Sequence, residues 1–289
     1  MRTTFDAVAE DYDRVRPSYP DKVFDDLVEM AGLSLGARLL EIGCGTGQAT
    51  LPLARRGFSL VAVELGERLA ALTRRRLADF PTVEIVRGTF EEWEPPDAAA
   101  FDAVVSFAAF HWIDPEVRYA KAARLLKRDG ALAIFDWQDV HEEGGDDFFV
   151  AVQEDYSAIV PEWETAPPPS SAHIVDRVKV FLDASGYFAP AETRRCVWSV
   201  TYTAHDYVTF LGTQSSFRML KRRDGSGSST ESSAASQRSK AGPFERSSWE
   251  CSRWRVRRHP TGAANRIPVS ARAPPRPAPR AACRSAART

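Results

Sequence analysis

A doubly wound α/β fold on a mostly parallel sheet is predicted for residues 38–136 of this 289-residue chain, and three observations predict it. Short apolar runs alternate with segments whose apolar residues fall at helical spacing. The alternation repeats five times at intervals of 20–30 residues, the rhythm of βαβ units. The first apolar run stops at a cluster of glycines, where a strand hands over to a helix.

Taken in order, RLLEI (38–42) is the first strand and QATLPLARRG (48–57) the helix behind it. SLVAVE (59–64) is the second strand, followed by the helix ERLAALTRRRLADF (67–80). VEIVRG (83–88) and FDAVVSF (101–107) are the third and fourth strands. PEVRYAKAARLLKRDG (115–130) is a helix closed by Gly130, leading into the fifth strand ALAIFD (131–136). The rhythm then breaks, and residues 137–172 are acidic, aromatic and proline-rich. An amphipathic stretch (173–188), a further strand (194–203) and a helix start (205–213) follow. The expected organisation is an N-terminal arm over 1–30, an α/β core over 31–136, a cap with the last recognisable strand and helix over 137–220, and a tail over 221–289.

The composition is 44% hydrophobic, 27% charged and 10% aromatic, which excludes fibrous and fully disordered classes. Cys44, Cys196, Cys251 and Cys283 form no CxxC pair, so neither a disulfide framework nor a cysteine metal site is expected. The start, MRTTFDAVAEDYD, lacks the basic-then-apolar pattern of a signal peptide. The longest apolar stretch, Ala98 to Ile113, is broken by Asp102 and His111 and is too short to span a bilayer. A cytoplasmic protein without a membrane partner is expected.

The near-neutral total hides two unlike segments. Residues 1–220 carry 22 Lys and Arg against 35 Asp and Glu, a net of −13, whereas residues 221–289 carry 16 against 4, a net of +12. All eighteen leucines lie in the first segment. The second holds 14 Arg, 12 Ser and 7 Pro, too few large apolar residues to offset the entropy of ordering, so it is expected to be a disordered tail. An arginine-rich tail can neutralise phosphates, but it sits badly beside so acidic a core, and no nucleic-acid partner is expected.

The loop after the first strand reads Glu41-Ile42-Gly43-Cys44-Gly45-Thr46-Gly47. Glycines allow a sharp turn and a close backbone approach to a ligand, and the next helix offers free N–H groups. A dinucleotide loop needs GxGxxG, but Gln48 stands at the third glycine, which disfavours a nicotinamide-dependent oxidoreductase; a phosphate loop needs a lysine that is absent. LLEIGCGTG, with its acid two residues before the first glycine, resembles the first motif of class I S-adenosylmethionine (SAM)-dependent methyltransferases, and the resemblance runs from about Phe5 to Gly212.

The resemblance implies a Rossmann-like methyltransferase fold, SAM as cofactor, and a methyl acceptor that is a small molecule. It implies that Gly43, Gly45 and Gly47 line the cofactor, with Glu41 near its amino group. Glu64, ending the second strand, is placed to accept both ribose hydroxyls, its alternative being a surface carboxylate. Thr89, Phe90 and Glu91 fall where the family contacts adenine: Thr89 or Glu91 on the exocyclic amine and Phe90 on the ring face, or else a capping Thr and a core Phe. Ser106 ends the fourth strand beside the cofactor, and the run on through Ala109-Phe110-His111-Trp112 is similar to the small-molecule branch that includes trans-aconitate methyltransferase-like proteins. The Asp/Asn-Pro-Pro-aromatic signature of amino-methylating DNA enzymes is absent.

His111 is the candidate general base, against the reading of a histidine capping its turn; methyl transfer needs a base only when the acceptor must lose a proton. FDAVAEDYDRVRPSYP resembles the helix and arm that close over SAM, which puts Tyr12, Arg16 and Tyr19 at the pocket, with Trp112 and Trp137 on the substrate side. Asp136, Asp139, His141 and Glu142 read as a solvated acidic loop and no metal is expected. The family's seven-stranded sheet also needs a final strand, and none is evident after Leu220. Back-translated with G/C-rich codons and read from each third base, residues 231–256 change character and GPFERSSWECSRWRV (242–256) becomes a valine-rich strand, so the segment looks out of frame and the final strand missing or replaced. WECSRWRV does alternate and is a possible substitute. A non-catalytic SAM-binding remnant and an RNA-modifying enzyme are the alternatives to a metabolite methyltransferase.

Overall fold

The computed structural model describes residues 4–96, 100–141, 148–160, 168–173, 177–215, 217–218 and 244–257. Seven strands form one sheet in the order β3-β2-β1-β4-β5-β7-β6. They are β1 (Arg38–Ile42), β2 (Ser59–Glu64), β3 (Val83–Arg87), β4 (Phe101–Phe107), β5 (Leu126–Asp139), β6 (Glu192–Tyr202) and β7 (Phe244–Arg257). The first five pair in parallel, and β7 runs antiparallel to both of its neighbours. Strands covered on both faces need continuous apolar runs, which is how β1, β2 and β4 read and how they are buried.

Helices α2 (Asp21–Ala31) and α3 (Thr50–Arg55) cover one face, through Val23, Phe24, Leu27 and Leu53. Helices α5 (Pro115–Leu125) and α7 (Arg177–Ala184) cover the other, through Tyr119, Ala122 and Leu182. Helix α4 (Glu67–Arg76) follows β2, and α6 (Phe148–Ile159) follows the break after β5. Helix α1 (Ala9–Val15) packs against α8 (Ala204–Gly212), where Val15, Tyr202, Tyr207 and Phe210 make a third small core. Among the described residues no helix is long and apolar enough to cross a membrane.

Three features depart from the sequence reading. Residues 21–31, expected to lie in an arm, are helix α2, amphipathic enough to bury Phe24 completely against the sheet. The helix expected to run to Gly130 ends at Leu125, because the buried Leu126 already pairs with Phe101 and starts β5. Residues 244–257, expected within a disordered tail, form β7, pairing Trp249–Arg257 with β5 and Phe244–Arg255 with β6. The final strand is therefore replaced rather than missing. Between two such strands an empty place would leave rows of N–H and C=O groups unmet, so even a polar, alternating segment is drawn in.

Candidate functional site

In an open α/β sheet, ligands bind beyond the carboxyl ends of the strands. Here the ends of β1, β2, β4 and β5 converge on a cavity of about 310 Å³, roofed by α1 and by the residues after α8. The glycine loop forms its floor. Gly43, Gly45 and Gly47 all take positive φ, 72°, 60° and 88°, which only glycine adopts without strain. At Gly43 a Cβ would also stand 2.5 Å from the Ala109 Cβ, so the loop after β4 presses directly onto the loop after β1.

Glu41 lies at the end of β1, only 1% exposed, and its Oε2 has no hydrogen-bond partner among the described residues. Burial pushes its pKa up to about 7, Thr50 pulls it the other way, and the charge of Glu64 adds to the rise. That oxygen faces the cavity with its acceptor capacity unused among the described residues. Glu64 ends β2 with its Oε2 accepting from Gly45 N–H at 2.9 Å and its Oε1 from Gly66 N–H at 2.8 Å. Burial raises its pKa against those two bonds. Each oxygen keeps a second lone pair, so hydroxyl donors from a ligand can still be accepted.

The other end of the cavity is supplied by β4, β5 and the N-terminal segment. Ala108 (φ 53°) is the one non-glycine residue with positive φ among the described residues, and it turns the chain sharply into the Phe110–Trp112 helical turn. That turn brings His111 and Trp112 to the cavity wall. His111 makes no hydrogen bond among the described residues. Its pKa is lowered by burial, raised by Asp136 and lowered by Arg118. Asp136, raised by burial and lowered by His111, lines the same wall with Oδ1 accepting from Trp137 N–H at 3.0 Å.

Helix α1 is fastened over this space from both sides. Arg76 of α4 donates to the Thr46 carbonyl and to Asp13, both at 2.6 Å, which ties the roof to the glycine loop. Arg14 reaches Asp206 and Thr209 of α8, and Tyr202 donates to the Val15 carbonyl at 3.0 Å. Asp6, one turn earlier, caps α4 by accepting from Arg68 and Leu69 N–H. Arg16 donates to the Thr213 hydroxyl and carbonyl at 3.1 Å while its guanidinium sits 4.7 Å over Tyr12 and 5.0 Å over Phe210. An arginine stacked on rings and held by two bonds is a fixed part of the wall.

Most residues singled out from the sequence meet here: Tyr12, Arg16, Tyr19, Glu41, Gly43, Gly45, Glu64, Thr89, Phe90, His111, Trp112 and Trp137 all line the cavity. Gly47 does not; the space its missing Cβ leaves is closed by Thr73 of α4, 3.2 Å away, so it serves helix packing. Ser106 does not line it either, because its hydroxyl is buried between strands and donates to the Ile42 carbonyl at 3.0 Å. Thr89 accepts from Glu92 N–H, a turn cap, as well as facing the cavity. Asp136 is a wall residue rather than part of a solvated loop, Glu142 lies outside the described residues, and no cluster able to hold a metal is present among those described. Of the stretch 137–190, Trp137 alone lines the cavity among the described residues. Gln48, Trp198, Gln214 and Ser215 were not foreseen; they arrive from separate parts of the chain, and no local pattern marks them.

The strand order, the left-handed glycine loop and the two buried carboxylates at successive strand ends define the class I methyltransferase architecture. A family profile described as a methyltransferase domain matches residues 40–134. An uncharacterized methyltransferase of Mycobacterium tuberculosis is 35% identical over 134 residues, 46% of this chain and 52% of that protein, so the chain spans about half of this relative's length. A solved structure from Anaeromyxobacter dehalogenans, provisionally described as a type II methyltransferase, superposes with a TM-score of 0.59 at 22% identity, covering 84% of this chain and 97% of the other. Phosphoethanolamine N-methyltransferase 2 of Haemonchus contortus, solved with phosphomonomethylethanolamine and S-adenosylhomocysteine, gives 0.50 at 16% identity, covering 88% and 57%. Residues 40–134 thus match the methyltransferase-domain family, and the fold around them is that of the class I methyltransferases.

Proposed function

We propose that the chain transfers the methyl group of SAM to a small-molecule acceptor held in the β4–β5 end of the cavity. The observation that carries the reading is the open Glu41 oxygen, buried one strand away from Glu64 beneath the glycine loop. The residues present fit the cofactor: Glu41 offers an anion to the ammonium, Gly43 and Gly45 expose backbone to the methionine part, and Glu64 accepts the ribose hydroxyls. Phe90 and Glu91, both at the cavity wall, would meet the adenine. SAM supplies an electrophilic methyl on a sulfonium; the chain's task is to hold the acceptor in line with it and to keep water out.

Arg16, Tyr12, Tyr19, Trp112 and Trp137 form the acceptor side, an aromatic wall with one fixed cation. An unpartnered imidazole beside Asp136 makes His111 the base available at neutral pH if the acceptor atom carries a proton. Acceptors of small size are favoured by the cavity volume. Calorimetric titration of the full chain with SAM and, separately, NADH tests the reading. Saturable binding of SAM alone is expected; a folded sample that ignores SAM would refute it.

A further inference from the structure

Helix α5 turns an apolar side toward the sheet, with Tyr119, Ala122, Ala123 and Leu125 all buried. Among them stands Lys121, 6% exposed, a charge in an apolar layer. Its Nζ donates to the carbonyls of Glu91 and Trp93, pairs with the Glu94 carboxylate at 3.0 Å, and lies 5.3 Å from the centre of the Phe90 ring. All three ammonium donors thus close on one loop, the loop after β3 whose other side, from Gly88 to Glu91, forms cavity wall. The same helix holds that loop twice more. Glu91 Oε1 accepts from Asp114 N–H at 3.1 Å, at the start of α5, and Arg124 grips Glu94 at 2.6 and 2.8 Å.

Burying an ammonium is costly even when paired, and an apolar residue of similar size commonly serves a fold as well. The cation is explained by what it holds. We infer that Lys121 is a positioning residue for the nucleoside end of the cofactor site, fixing the loop that presents Phe90 and Glu91 to the purine ring. The inference rests on the SAM reading given above. Lys121 itself does not line the cavity and acts through the Glu91 and Trp93 carbonyls and the Glu94 carboxylate.

The test is calorimetric titration of the full chain with SAM and with 5′-methylthioadenosine, which keeps the nucleoside and lacks the amino-acid part. Each is run on wild type, Lys121→Met and Lys121→Arg, with a thermal melt of every sample. Lys121→Met is expected to weaken both compounds about tenfold, since charge-assisted bonds to the loop are lost, and Lys121→Arg to stay within about threefold of wild type. If Lys121→Met is too unstable to isolate, Lys121→Gln keeps N–H donors for the carbonyls and carries an expectation of about threefold. Unchanged affinity in the isolated variant, even with a lowered melting temperature, would overturn the inference, because a merely structural lysine moves only the melt. Failure of wild type itself to bind SAM overturns the underlying reading instead.

Discussion

The β1–β2 end of the cavity and the β4–β5 end are built differently. The first is made by two adjacent strand ends and a single glycine loop, all within residues 41–66, and its geometry is set by backbone: the left-handed Gly43 and Gly45 at the cavity and two backbone N–H groups on Glu64. The second is assembled from α1, the strained turn at Ala108, the end of β5, Trp198 of β6 and the residues after α8. Side chains dominate there, and the pieces are joined by long-range bonds such as Arg14 to Asp206 and Arg16 to Thr213. A backbone-built site tolerates little change and suits one invariant ligand. A side-chain-built site can be rewritten residue by residue, which suits a variable acceptor.

The contrast is broken most directly at Gly43. Gly43→Ala puts a Cβ 2.5 Å from Ala109 in a left-handed backbone, so a loss of about 2–4 kcal/mol in stability is expected by chemical denaturation, with SAM binding abolished. Glu64→Gln removes a charge-assisted acceptor from two N–H groups and is expected to weaken SAM about 30-fold by calorimetry, with a smaller effect on stability.

Glu41 sharpens the comparison through pH. Its folded pKa of about 7 lies above the ordinary value of 4.5, so the native state holds the proton more tightly than the unfolded chain. Its contribution to stability is therefore full below pH 4.5 and is lost as pH rises through about 7, up to roughly 3 kcal/mol by the linkage relation. Denaturation curves at pH 5 and pH 8 should show this slope in the free protein and lose it in Glu41→Gln. An ammonium needs the ionised carboxylate, so SAM affinity is expected to tighten about tenfold from pH 6 to pH 8, with a proton released on binding. A flat profile would remove Glu41 from the ammonium site.

The smallest effect on the cofactor belongs to the other end. His111→Gln should leave the SAM dissociation constant within about twofold, because nothing in the β1–β2 end depends on it, while turnover of a proton-bearing acceptor falls about a hundredfold. Because partial burial and Arg118 hold His111 below its ordinary value against the pull of Asp136, the wild-type rate should rise to a plateau on a limb below pH 6.5. Equal losses of cofactor binding at Gly43 and His111 would erase the distinction between the two ends.

The replaced strand β7 belongs to the same lesson. The out-of-frame reading of the segment after Leu220 concerns the gene, and sequencing it from fresh source DNA checks it; an unchanged frame in several isolates would retire it. Whatever its origin, residues 244–257 lie where sheet pairing demands a strand, paired with the β5 residues that include Asp136 and Trp137.

By itself the sequence determined the parallel sheet and the glycine loop, because each depends on a local rule, apolar runs of strand length and left-handed backbone; the two carboxylates at strand ends were marked through the family resemblance. It also marked Tyr12, Arg16 and Tyr19, through a resemblance rather than a rule. Only the tertiary structure decided which glycine faces helix packing instead of the cavity, that the Ser106 hydroxyl is taken by Ile42, that Asp136 stands beside His111, and that Lys121 grips the loop after β3. Those facts depend on which residues far apart in the chain come within a few ångströms, and spacing along one strand or helix carries no record of that. Local backbone preference is written in neighbouring residues; the partner of a buried polar group is fixed only when the sheet and its helices close around it.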